Sequence, residues 1–219
     1  MKRAILGVLA VAAVAGSTQG ALFTYTSASR SVFADNLVYS GVEGYPDQTS
    51  SDRTGAFMAG ASASWQNDRA YAWQNSIFGG HYIIASGYAE CELIGGSPGG
   101  SAQTWLSAAF VLDEAMPDSE IIASIAALTG ATPAPSAYVR ITGPGLSYDS
   151  SVDGPTFSWS GTLQPGSYSV TASVYVDLPY TGKVGSEFDV TIIPTPGTLG
   201  LGALAMLAML RARPRHVTS

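Results

Sequence analysis

Apolar and polar residues alternate along much of this chain with a period of two, the spacing of a strand that buries one face. Phe157-Ser158-Trp159-Ser160 puts rings on one side and hydroxyls on the other. After the turn Gln164-Pro165-Gly166, residues Tyr168, Val170, Ala172, Val174 and Val176 alternate with Ser169, Thr171, Ser173, Tyr175 and Asp177. Phe188, Val190 and Ile192 alternate with Asp189 and Thr191, and Val139 and Ile141 flank Arg140 ahead of the turn Gly143-Pro144-Gly145. Upstream the pattern is fainter. Residues 23–26, 56–65, 70–73, 81–93 and 103–112 suit strands, but many inward positions hold Ala or Ser where Val or Ile is expected. Residues 47–53 read as a polar loop, and Gly79-Gly80 and the glycine-rich 95–100 as turns. Short strands punctuated by Gly and Pro predict an all-β fold, an antiparallel β-sandwich (jelly-roll-like) of about 8–10 short strands. One segment is ambiguous: Ile121, Ile122, Ile125 and Leu128 stand at helical spacing behind Ser119, a ready N-cap.

The two ends have a different grammar. Lys2-Arg3 precede an apolar run over 4–14, and small residues follow to Ala21, the build of a secretory signal peptide over 1–21. At the other end Pro194-Thr195-Pro196 leads into an apolar run over 199–210, then Arg211, Arg213 and Arg215. As a helix at about 1.5 Å per residue, that run spans about 18 Å, well short of a hydrocarbon core of about 30 Å. It predicts a short apolar helix in transient contact with a membrane, its arginines held on the cytoplasmic side. The domain plan is therefore a leader over 1–21, a β body over 22–193 and a sorting tail over 194–219.

In these features the chain resembles bacterial proteins with a PEP-CTERM sorting signal, which are exosortase substrates of exopolysaccharide-producing bacteria. Their tails carry Pro-Glu-Pro, a short apolar helix and an arginine cluster; here Thr195 stands in place of the glutamate. The resemblance covers the tail alone and implies sorting rather than an activity: signal peptidase and exosortase as processing partners, exopolysaccharide as a surrounding polymer, and delivery to the cell surface or extracellular matrix. The bodies of similar sorted proteins favour a strand over 120–128. A competing pattern, Leu178-Pro179-Tyr180-Thr181-Gly182, fits the sortase pentapeptide. Sixteen residues separate it from Leu199, and Pro179 and Gly182 are ordinary turn chemistry.

Charge narrows the function classes. Sixteen acidic residues stand against five basic ones in the body, a net −11, and such a surface has no basic patch to release counterions from nucleic acid. A single cysteine excludes an internal disulfide framework. His81 is the body's one histidine, and it sits in Gly79-Gly80-His81-Tyr82, a turn entering a strand, so a triad or histidine-rich zinc site has little to draw on. Cys91 lies between Glu90 and Glu92, which oppose thiolate formation. Glu90 with Glu92, and Asp113 with Glu114, are the carboxylate pairs available for glycoside hydrolysis, and surface carboxylates are the plainer reading. Calcium takes several oxygen ligands; Asp47, Asp52, Asp118, Asp149 and Asp153 supply them by type, but no EF-hand spacing organises them. Trp65, Tyr71, Trp73 and Trp105 would stack on sugar if exposed, Trp65 and Trp73 foremost, but strand aromatics are usually core. The expectation is a non-enzymatic, cofactor-free structural or adhesive protein, with a carbohydrate-binding module as the alternative and a small envelope glycoside hydrolase behind it.

Overall fold

The computed structural model describes residues 22–38, 41–50, 54–95, 99–127 and 136–194. The expected leader (1–21), the motif residues Thr195 and Pro196, the apolar run 199–210, the cations Arg211, Arg213 and Arg215, and Asp52 lie outside them. Twelve strands occupy the described chain: β1 Phe23–Val38, β2 Gly41–Ser50, β3 Gly55–Trp65, β4 Asp68–Phe78, β5 Ile83–Leu93, β6 Gly99–Leu112, β7 Met116–Ala127, β8 Ser136–Gly143, β9 Leu146–Asp149, β10 Thr156–Leu163, β11 Gly166–Leu178 and β12 Gly182–Pro194. A single helical turn, α1 (Ser150–Asp153), joins β9 to β10 and is capped by the Asp149 carboxylate, which accepts from the Ser151 backbone N–H.

The strands form two six-stranded antiparallel sheets, ordered β2-β1-β6-β11-β8-β9 and β10-β7-β12-β5-β4-β3. The expected sandwich is observed, but with twelve strands rather than 8–10, and several are long: β1 has 16 residues and β6 has 14. From β5 onward the pairing is nested: β5 with β12, β6 with β11, β7 with β10, and β8 with β9. The hairpin β3–β4 extends the second sheet beside β5, and β1–β2 extends the first beside β6.

The ambiguous segment is strand: β7 runs through Ala127, with Ile121 and Ala123 buried and Ile122 and Ser124 half-buried on the other face. Strand pairing on both sides, to β10 and β12, overrides the helical spacing. The loop expected over 47–53 is corrected in part, because β2 continues through Ser50, paired with Arg30 of β1. Ladder hydrogen bonds to a long neighbour hold a segment too polar to announce itself. At the β8–β9 hairpin, Pro144 and Gly145 turn the chain between the pair Gly143↔Leu146, and Gly145 takes φ 69°, which glycine alone adopts at no steric cost.

The core lies between the sheets. On β1, β6 and β11 the rings of Phe23, Phe110 and Tyr168 stack in a row, with centroid separations of 4.2 and 5.3 Å. Elsewhere the filling is small: Ala59, Ala61, Ala70, Ala72 and Ala89 face inward from the second sheet. Polar groups also tie the sheets together along the β3–β4 hairpin. The Arg30 side chain is fully buried, donates from Nη1 to the Gly55 carbonyl (3.0 Å) and sits 4.5 Å over the Phe78 ring. The Asn36 amide donates to the Ala63 carbonyl at 3.0 Å. Gln74 crosses to the first sheet, where its amide nitrogen, in the orientation that satisfies both ends, donates to the Ser31 and Trp105 carbonyls (3.1 and 3.0 Å). Each bond meets the need of a buried polar group that would otherwise cost about 1–3 kcal/mol.

Candidate functional site on the outer face of the second sheet

Alternation decides which side chains leave the core. On β4, Ala70, Ala72 and Gln74 point inward, so Arg69, Tyr71, Trp73 and Asn75 point outward. On β5, Ala89 and Cys91 are inward, and Tyr88, Glu90 and Glu92 outward. Register then lines these residues up in rows across the strands. Gly60, Trp73, Tyr88 and Glu187 form one row; Ser62, Tyr71, Glu90 and Gly185 the next; Ser64, Arg69, Glu92 and Lys183 the third. The result is an aromatic patch of Tyr71, Trp73 and Tyr88, bordered by glycines and continuing into a charged cluster. The Tyr71 and Tyr88 rings lie 6.0 Å apart in a tilted arrangement.

The charges in the cluster are tightly tied. Arg69 donates to Glu92 Oε2 from Nε (3.0 Å) and Nη2 (2.5 Å). Lys183 Nζ bridges Glu90 Oε1 (3.0 Å) and Glu92 Oε2 (3.2 Å). The Tyr88 hydroxyl donates to Glu90 Oε2. Partial burial raises the Glu92 carboxyl, but hydrogen bonds and charge from Arg69 and Lys183 outweigh it and hold the group below the ordinary carboxylate range. Burial lowers Lys183, and the two glutamates more than reverse that, keeping the ammonium charged above its usual range. Glu90 and Glu92 share a face as a strand requires, but both are engaged by cations. A general acid needs a carboxyl that keeps its proton near neutrality, and the Glu92 environment works against that.

The other sequence candidates are dispersed. Trp105 projects from the opposite face of the molecule, on β6, in a row with Ser31, Ser173 and Tyr138. Tyr71, Trp73 and Trp105 are half-buried on outer faces, not in the inter-sheet core, which corrects the expectation of core aromatics. Opposite β4 lie β1 and β6, and Ala70 and Ala72 are fully buried residues that β4 turns toward them. The Trp65 and Asp47 side chains lie outside the described residues. His81 is half-buried beside β5, and Asp113 and Glu114 are exposed in the turn after β6. Cys91 is fully buried, and its thiol is pushed up to about 12, first by desolvation and then by Asp177, Glu90 and Asp35. The sequence reasoning had the direction right and the leading cause wrong.

Of the acidic loop residues, Asp118 is exposed, whereas Asp149 and Asp153 meet around α1. Asp149 is held down at about 2 by the Ser151 hydroxyl, the Arg140 guanidinium and the Ser151 backbone N–H. Asp153 accepts from the Asp149 backbone N–H at 2.7 Å. Among the described residues, no group of three His, Cys, Asp or Glu side chains is placed to hold a metal ion. No described helix is long and apolar enough to cross a membrane. Sequence reasoning missed Tyr88 and the cations Arg69 and Lys183. Their signal was the alternation itself, since Tyr88, Glu90 and Glu92 are spaced by two, as are Arg69, Tyr71 and Trp73. Compared with family models, curated proteins and solved structures, the chain finds no match in any of the three.

Proposed function

We propose that this is an exported protein of the cell surface or extracellular matrix with a non-enzymatic, structural or adhesive role. In this reading it is sorted through its C-terminal tail, which exosortase clips near Pro194-Thr195-Pro196. The observation that supports it is that the paired core reaches the motif: the described part of β12 includes Pro194, the first motif residue, and the described core draws its residues from Phe23 through Ile193. A cut just beyond would leave β12 paired to both its neighbours. The nested pairing of β5–β12 supports reading those eight strands as a jelly roll, an architecture that hides most sheet edges. The test is the mass of the product that accumulates in an exosortase-bearing host: loss of the tail supports the reading, and an intact tail refutes it.

A second reading has one observation in its favour. Tyr71, Trp73 and Tyr88 share an outward patch beside Arg69, Glu90 and Glu92, and sugar rings stack on such aromatics while charged groups bond their hydroxyls. This reading makes the body a carbohydrate-binding module that retains exopolysaccharide. A glycan array tests it: binding abolished by Trp73→Ala supports it, and an array without signal removes it.

A further inference from the structure

The first sheet carries aromatic rings on its outer face as well. On β6, Ala102, Thr104 and Leu106 face the core, so Gln103 and Trp105 face out; on β11, Val174 and Val176 face the core, so Ser173 and Tyr175 face out. Register places Phe33, Gln103 and Tyr175 in one row and Trp105, Ser173 and Tyr138 in the next. Phe33, Trp105, Tyr175 and Tyr138 are thus successive diagonal neighbours across β1, β6, β11 and β8, a separation that side chains of this size bridge. At a strand spacing of about 4.8 Å the zigzag spans about 14 Å. Phe33, Trp105 and Tyr138 are half-buried, and Tyr175 is 41% exposed. Ser173 points outward yet is buried, flanked in its row by Trp105 and Tyr138. Rings that shield a serine between them lie low over the sheet and turn a face to solvent.

The surroundings select the ligand. On β1, β6, β11 and β8 the polar side chains of these two rows are hydroxyls and the Gln103 amide. Charge enters one row further out on these strands: Asp35 and Asp177 on one side, and on the other Arg140, which is paired with Asp149. A sugar ring has an apolar face that stacks on an aromatic and a rim of hydroxyls that such neutral polar groups bond. The body's net charge of −11 opposes a polyanion here, and it equally opposes a second copy of the chain. A neutral polysaccharide meets neither objection.

We infer that Phe33, Trp105, Tyr138 and Tyr175 form a second site for neutral polysaccharide, and that the protein bridges two such chains, one on each face. The bridging rests on the carbohydrate-binding reading of the Tyr71, Trp73 and Tyr88 patch; the first-sheet site stands without it. The sheets of a sandwich pack about 10 Å apart, so a polymer lying on one outer face reaches the other only by bending around an edge. The faces differ in strength. Charged groups beside Trp73 bond hydroxyls more strongly than the uncharged ones beside Trp105. The first-sheet site is therefore the weaker, and a washed glycan array reports the Trp73 face alone.

The experiment uses the full chain expressed in an exosortase-bearing host and purified in the form that accumulates. Cellohexaose, laminarihexaose and maltohexaose are titrated to millimolar concentration into the Trp73→Ala protein. The Trp105 indole N–H signal, identified by its loss in Trp105→Ala, is followed by NMR. A neutral sugar should shift it, and an oligogalacturonate should shift it less. Tyr175→Ala should weaken the titration by about two- to tenfold, with an unchanged thermal midpoint as the check on folding. For bridging, the polysaccharide of the same linkage is mixed with protein and followed by light scattering. The parent should gather it into large particles, whereas Trp105→Ala should keep its array signal and leave the polymer dispersed. A Trp105 signal that no neutral sugar moves, an oligogalacturonate that binds as well as they do, or a dimer that Trp105→Ala dissociates would overturn the site. Particles that survive Trp105→Ala would overturn the bridging. An array without signal beside a moving Trp105 signal would remove the Trp73 face, and bridging with it, while supporting the first-sheet site.

Discussion

Gly87 is a hole made for a ring. It lies on β5 directly opposite Phe188 of β12, and a Cβ added there would stand 2.4 Å from Phe188 Cε1 and 2.6 Å from Cζ. Thr104 Cγ2, from the facing sheet, would be 2.9 Å away. Phe188 is fully buried, so its ring has no solvent to swing into. Gly87→Ala should therefore act as overpacking, costing about 1–3 kcal/mol despite alanine's lower backbone entropy in the unfolded chain. For a domain of this size each kcal/mol lowers the midpoint by about 2–4 °C, so a fall of about 2–12 °C is expected in calorimetry. Phe188→Leu should cost stability by itself yet relieve the clash, and the double variant should fall short of the summed losses by about 1 kcal/mol. A Gly87→Ala protein within about 0.5 kcal/mol of the parent, or strict additivity in the cycle, would refute the packing argument.

The Arg69–Glu92–Lys183 cluster should show a two-sided pH dependence. Glu92 is held below its unfolded value, so its contribution is present above about pH 5 and fades as pH falls through the folded pKa; Lys183 is held above its own, so its contribution is present below about pH 10 and fades as pH rises through it. Urea unfolding of the parent against Lys183→Met should thus show a plateau near neutrality of at most about 1 kcal/mol, given the exposure of these groups, and a flat profile at every pH would contradict it. Cys91, fully buried and with its thiol pushed up to about 12, should react with a disulfide reagent at least about tenfold more slowly in the native protein than in denaturant; equal rates would show that the thiol is not buried as described. Trp73→Ala should leave the thermal midpoint within about 2 °C, because the ring lies on an outer face; a drop as large as that of a core aromatic would return Trp73 to the interior.

The β class was legible where β-branched residues set the phase, as at Val170, Val174 and Val176, all inward. It was faint where alanine does the inward work, because Ala-Ser alternation across 59–64 has little contrast in hydrophobicity. Strand β1 adds a second difficulty. Its register with β6 shifts between Tyr25 and Ser27, so Phe23 and Tyr25 point inward before the bulge and Ala28, Val32 and Ala34 after it. Continuing that phase places Arg30 inside, which the sequence permits a reader to notice but charge alone argues against. The outward patch failed to announce itself for a related reason. Aromatic rings are ordinarily assigned to the core, and only the pairing of β4 with β5 shows that alanines hold those places.

The nested order of β5 through β12 also has a temporal side. A chain made from its N-terminus has β5 and β6 in hand long before their partners β12 and β11 exist. Only the innermost hairpin, β8–β9, can close at once, and every outer pair waits for a more distant segment. Contacts so far apart in sequence form slowly. Neither sheet is therefore complete until the final strand is available, although the sequence-adjacent pairs β1–β2, β3–β4 and β4–β5 can form well before it.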